Sequence, residues 1–254
     1  MLTSNFESRV LYQDNHIIIV NKLPGEIVQA DQSGDSTLLD LVKSYLKTKY
    51  NKPGNVFLGP PHRLDRPTSG LVVFAKTDKA LSRLSQMFRL GQISKYYLAI
   101  VDRPLVATAV SSPAFGDSVP HRGTLTHYIY RDTAKNKSFA YNPAPDGGCP
   151  HLRGIKADSL QLARLEYEEI GQSNRYTLLR IHLLTGRHHQ IRAQLAACNV
   201  HIKGDLKYGF PRSNPDGGIC LHSREISFIH PVSKQPINVI APVPTDRVWT
   251  YFNL

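Results

Sequence analysis

A single carboxylate stands between two arginines in His62-Arg63-Leu64-Asp65-Arg66-Pro67-Thr68-Ser69-Gly70, and here the chain concentrates residue types that could do chemistry. Pro67 biases Arg66 away from the helical region, and Thr68, Ser69 and Gly70 favour a turn. The apolar run Leu71-Val72-Val73-Phe74-Ala75 follows at once and reads as a buried strand. Charges beside a buried strand are costly to desolvate unless they are paired. Asp65 therefore has two readings. It anchors a turn by pairing with Arg63 or Arg66, or it is a reacting group that the flanking cations keep ionised, as a nucleophile or base requires and a general acid does not. No second carboxylate stands out, which argues against a paired-carboxylate hydrolase.

Two further stretches hold candidates. Tyr97, in Lys95-Tyr96-Tyr97, is either a core aromatic or a ring set against a base with its hydroxyl near a reacting atom. Thr185-Gly186-Arg187-His188-His189-Gln190-Ile191-Arg192 is expected to turn into a helix through about Cys198, and helix N-termini attract anions. At helical spacing His188 and Arg192 share a face. The histidines face phosphate or pack. Adjacent histidines point apart and neither HExxH nor a paired CxxC occurs, so no metal site is expected, Cys198 and His201 included. No Walker-type loop and no G-x-G-x-x-G follows a strand, so no nucleotide cofactor is expected. Gly-Asp-Leu-Lys-Tyr-Gly at 204–209 is an RNA-contacting loop or a plain turn, and Leu221 reads as a core residue.

The elements that must position these residues are short and mixed. Strands are expected at 16–22, 71–75, 93–101, 160–169 and 176–184, with a hairpin from 224–230 to 237–241. Ser36 or Thr37 caps a helix carrying Leu38, Leu41, Val42, Tyr45 and Leu46, and Thr77 caps a second one that stops near Gly91. Residues 131–160, rich in Lys, Pro and Gly, read as a long loop or insertion. The pattern is α+β, with sequence neighbours often antiparallel, in a single domain over 1–254.

Composition narrows the partners. The chain has 31 Lys and Arg against 20 Asp and Glu, a net charge of +11, which favours a polyanion, nucleic acid before an anionic membrane. Its apolar runs are far shorter than the ~20 residues that span a bilayer, and residues 1–7 show no signal-peptide pattern. Three widely spaced cysteines make a disulfide framework unexpected and a reducing cytoplasm the expected compartment.

In order and spacing these stretches resemble the RluA family of pseudouridine synthases, from about residue 9 to residue 244. The run at 62–70 is similar to the family's catalytic motif with Asp65 as its aspartate, 95–101 to its tyrosine strand with Tyr97 in the tyrosine position, and 185–192 to its third motif. Gly204-Asp205, Tyr208-Gly209, Leu221-His222 and Phe228-His230-Pro231 extend the likeness; Pro67 and His188 depart from the commoner pattern. The resemblance implies a largely antiparallel mixed sheet flanked by helices around an active-site cleft. It also implies cofactor-free isomerisation of a uridine in structured rRNA or tRNA, by a monomer without a preceding S4 domain and without DNA or membrane as partner. In that scheme Asp65 starts the chemistry, at C1′ as nucleophile or at C2′ as base. Tyr97 packs on the uracil, Arg192 pairs with Asp65, and Arg63 holds out the flipped nucleotide. Leu221 lines the uracil pocket, and Arg187 and His188 meet phosphates. The rivals are a non-catalytic RNA-binding or chaperone protein on the same fold, and a glycosidase or nuclease acting on nucleic acid.

Overall fold

The computed structural model describes residues 6–30, 34–102, 121–144 and 146–254. The chain divides into two compact units. The first comprises Met1–Lys95, Pro215–Gly218 and His222–Pro244; the second comprises Tyr96–Asn214, Ile219–Leu221 and Thr245–Leu254.

In the first unit β1 (Val10–Gln13) pairs antiparallel with β2 (Ile17–Lys22), and β2 with β3 (Ser69–Ala75), Ile17 lying opposite Ala75 and Lys22 opposite Gly70. Every residue of β3 and all of Ile17–Val20 are buried, and the stretches Ile17–Val20 and Leu71–Ala75 are unbroken apolar runs, as strands covered on both faces are. Between β2 and β3 lies α1 (Leu38–Lys49), which begins at a capping box: Thr37 Oγ1 accepts from the Asp40 amide, and the Asp40 carboxylate accepts from the Thr37 amide. Thr77 caps α2 (Asp78–Arg89), whose Ala80 and Leu84 join Ile17, Ile19, Leu71 and Val73 in the core.

The second unit is an antiparallel array of β4 (Ser94–Val101), β5 (Arg122–Asp132), β6 (Lys137–Tyr141), β7 (Leu160–Gln172) and β8 (Thr177–Leu183). Its neighbour order is β4-β8-β7-β5-β6. The expected loop at 131–160 is corrected in its first third. β5 runs on to Asp132, Asn136 at φ +45 closes a turn, and β6 returns antiparallel with Lys137 opposite Asp132. The lysines that made this stretch look like solvated loop belong to a hairpin tip and an edge strand. Residues 142–156 carry no strand or helix among those described.

After β8 comes α3 (Gln190–Ala197), which starts later than expected because His189, at φ +51, sits just outside it. His188 is therefore not helical, and the shared helix face expected for His188 and Arg192 does not form. α3 is buried from Gln190 to Leu195. Its polar side chains find partners there: Gln190 Nε2 donates to the Arg164 carbonyl and to Gln194 Oε1, and Gln194 Nε2 donates to the Leu125 carbonyl.

The chain returns to the first unit through β9 (Leu221–Ile229), parallel to β3 at Ser69–His222 and Gly70–Ser223, and antiparallel to β10 (Pro236–Ile240). Gly70 is required at this contact: at φ +107, a Cβ would lie 2.3 Å from the Ser223 carbonyl oxygen. The strand pairing is mixed and largely antiparallel, within the expected α+β class. Among the described residues, no helix is long and apolar enough to cross a membrane.

Candidate active site

Asp65 lies half-buried in the first unit, in a turn closed by the Thr68 amide donating to the Asp65 carbonyl at 3.0 Å. Two side chains outside the turn hold it. Lys22, at the end of β2, is fully buried, and its ammonium donates to the carbonyls of Leu23, Arg66 and Thr68 at 3.0, 2.9 and 2.7 Å. All three of its donors are thus used, two of them on the Asp65 turn. Burial pushes the Lys22 amine down to about 8, while the carboxylates of Glu26 and Asp65 act against that shift. His62 holds the other end. Its Nε2 accepts from the Val73 amide at 2.9 Å, and its ring stacks on Phe88 with centroids 4.4 Å apart. Burial pushes His62 down to about 3, so the imidazole is neutral at physiological pH and able to accept.

The arginines beside Asp65 are both exposed, and Arg66 pairs with Asp35 at 2.9 Å. Lys22 is the cation that the fold buries within the field of Asp65 in this unit. The sequence reading treats it only as the end of a strand before the Pro24-Gly25 turn. The available signal was slight, a lysine two residues beyond the apolar run Ile17-Ile18-Ile19-Val20, separated from it by Asn21.

The second unit carries the remaining candidates. Tyr97 is buried on β4, opposite Ile181 of β8. Its neighbour Tyr96 takes the other face, where it stacks on His182 at 4.5 Å with the Arg180 guanidinium 4.1 Å from its ring centroid. That face borders a cavity of about 510 Å³ lined by charged side chains, including Arg122, Glu166, Glu168 and Arg180. Strand alternation thus separates a buried tyrosine from a half-buried one. Arg187 is exposed, and its Nε donates to the Leu162 carbonyl. His188 is half-buried, with Nδ1 2.9 Å from Ser138 Oγ, and stacks on His189 at 3.8 Å. Leu221 is buried at the start of β9.

Arg192 is 5% exposed and lies against Asp205, which is 1% exposed. Its Nε donates to Asp205 Oδ2 at 2.7 Å and its Nη2 to Asp205 Oδ1 at 2.8 Å, a bidentate, charge-assisted pair. Asp205 and Tyr208, read from sequence as part of an RNA loop or a plain turn, belong to the surroundings of this arginine. Among the described residues, no group of three or more His, Cys, Asp or Glu side chains is placed to hold a metal ion.

Residues 16–197 match the family described as RNA pseudouridylate synthase. The ribosomal large subunit pseudouridine synthase D of Xylella fastidiosa is 29% identical over 251 residues, covering 93% of this chain and 66% of that protein. The tRNA pseudouridine synthase C of Pectobacterium carotovorum is 28% identical over 255 residues, covering 96% of this chain and 61% of that protein. The chain thus spans less than two thirds of the length of these two curated relatives. Human RNA pseudouridylate synthase domain containing 4 has the same fold, with a TM-score of 0.73 at 21% identity over 99% of this chain and 93% of that one. The match over 16–197, running through the Asp65 turn, the Tyr97 strand and the Arg192 segment, shows that the chain belongs to the RNA pseudouridylate synthase family, in its RluA branch.

Proposed function

We propose that this protein isomerises a uridine in structured RNA to pseudouridine, with Asp65 as the group that starts the reaction. The observation that carries the reading is the Asp65 turn, a half-buried carboxylate in a turn whose Arg66 and Thr68 carbonyls are held by Lys22, with that buried ammonium within its field. Such preorganisation fits a reacting group better than a surface turn. The rRNA and tRNA named for the relatives are the substrate classes to test first. The net charge of +11 suits such a polyanion, and a reducing cytoplasm suits three widely spaced cysteines.

In the proposed reaction the C1′–N1 bond breaks, the uracil turns, and C1′ joins C5. The C5 proton leaves to solvent and N1 gains one, so the reaction is redox-neutral. Asp65 acts at C1′ or at C2′. Tyr97 packs on the uracil and assists loss of the C5 proton, Arg192 serves the Asp65 carboxylate, and Leu221 lines the base pocket. Arg63, exposed beside Asp65, takes the place of the extruded nucleotide, whose unstacking costs a few kcal/mol. Arg187 and His188 meet phosphates.

The test is tritium release from RNA labelled with 5-³H-uridine, isolated from cells lacking the protein. Wild type should release label, while Asp65→Asn should release none and still bind RNA. Free uracil or strand cleavage would point to hydrolysis instead, and no release from any tRNA or rRNA would remove the enzyme reading.

A further inference from the structure

The hexapeptide Gly204-Asp205-Leu206-Lys207-Tyr208-Gly209 has a backbone that aims two of its side chains inward. Gly204 at φ +90 and Gly209 at φ +104 bracket a 3-10 turn over Leu206–Tyr208. A Cβ on Gly209 would lie 2.8 Å from the His201 ring, so the close approach excludes any other residue without rearrangement. His201 is itself fixed, its amide and Nδ1 both 2.9 Å from the carboxylate of Asp102. From this braced turn Asp205 and Tyr208 point to Arg192 while Leu206 stays exposed.

Asp205 binds the Nε–Nη2 edge of Arg192, which fixes the plane of the guanidinium. Tyr208 lies over the same group, with its ring centroid 4.9 Å from the guanidinium carbon. The phenol is anchored in turn. Its hydroxyl accepts from the Ser138 amide at 2.9 Å and donates to the Ser138 carbonyl at 3.1 Å. His189 Nδ1 is 2.9 Å away, and with the hydroxyl proton given to Ser138 this nitrogen is the donor. Burial first, then the Arg192 charge, pushes His189 down to about 2, so its imidazole is neutral and carries one N–H. One hydroxyl thus joins edge strand β6, the entry to α3 and the 3-10 turn around Arg192.

We propose that Asp205 and Tyr208 are positioning residues that hold Arg192 in its working orientation. The proposal rests on the reading that Arg192 serves Asp65 in uridine isomerisation. A guanidinium without Asp205 would keep its charge and lose its plane, which is an error of about an ångström where placement decides rate.

The experiment is single-turnover tritium release by the full chain on 5-³H-uridine-labelled RNA, with RNA affinity and circular dichroism measured on each variant. Asp205→Asn should lower the rate at saturating RNA about 100-fold with RNA affinity within about threefold of wild type, and Asp205→Glu should recover about tenfold. Tyr208→Phe keeps the ring and should lose only a few-fold, whereas Tyr208→Leu should lose about tenfold. The double variant Arg192→Lys with Asp205→Asn should be no slower than Arg192→Lys alone. A folded Asp205→Asn with a rate near wild type overturns the proposal, as does a loss that appears in RNA affinity and not in rate. If Asp205→Asn does not fold, Tyr208→Leu at wild-type rate overturns it equally. Full activity in Arg192→Met would instead remove the reading beneath it, and is seen separately.

Discussion

Two buried cations, one in each unit, are housed in opposite ways. Lys22 gives its three N–H bonds to backbone carbonyls and meets carboxylate charge only at longer range. Arg192 meets a carboxylate face to face, in two bonds of 2.7 and 2.8 Å, under an aromatic ring. Carbonyl dipoles satisfy the geometry of an ammonium without neutralising it, and burial then lowers its pKa. A bidentate carboxylate neutralises the guanidinium, which in any case does not deprotonate in a protein. Lys22 is thus a clamp whose charge is conditional on pH. Arg192 is a fixed charge whose orientation depends on its partner.

The difference is broken most violently from the Arg192 side. Arg192→Met would leave Asp205 buried and unpaired, and breaking a buried pair in this way costs about 3–5 kcal/mol. The expected outcome is a fall of that size in urea unfolding free energy; a change under 1 kcal/mol would mean that the site relaxes and rehydrates Asp205. Lys22→Met should cost less, about 2–3 kcal/mol. It removes an ammonium that is expensive to bury and takes one donor from the carbonyls of Leu23, Arg66 and Thr68, of which Arg66 keeps its bond from the Gly25 amide at 2.9 Å. Its larger effect should be on rate, because two of those carbonyls belong to the Asp65 turn. A stable, fully active Lys22→Met would show that His62 and the Gly70 contact suffice to hold that turn.

The same contrast explains what could be read in the sequence. The Asp65 run, the helix capped by Thr37 and the tyrosine strand are legible because each is specified locally, by turn chemistry, a capping box or alternation. The partner of Arg192 is not local, since Asp205 faces it only because two glycines with positive φ fold the 204–209 turn inward. Nor does spacing alone show that His189 adopts φ +51 and holds His188 out of α3. Lys22 fails for a related reason. A lysine at a strand end is normally solvated, and only the β2–β3 register, which puts it opposite Gly70 and beside the Asp65 turn, buries it. The hairpin at 131–141 is disguised by its composition, because an edge strand with lysines at its tip resembles loop.

The finest test of the comparison is pH. With a folded pKa of about 8 against 10.5 for an ordinary lysine, Lys22 carries its proton in both states below pH 8. Between 8 and 10.5 the unfolded chain binds more protons, so the burial penalty is relieved and stability rises with pH. The unfolding free energy of wild type minus that of Lys22→Met should therefore climb through this window, by at most about 1.4 kcal/mol per pH unit, and level off above it. Activity should move the other way. Losing the proton removes a donor from the Asp65 turn and a positive charge from its field, so kcat/KM should be about halved at pH 8 and about tenfold lower at pH 9. Lys22→Met should lack that limb, and Arg192, which keeps its charge throughout, should contribute nothing to it. A wild-type enzyme that loses activity above pH 8 while gaining stability over Lys22→Met would assign the alkaline limb to the clamp. Loss of both together would mean that the limb reports unfolding.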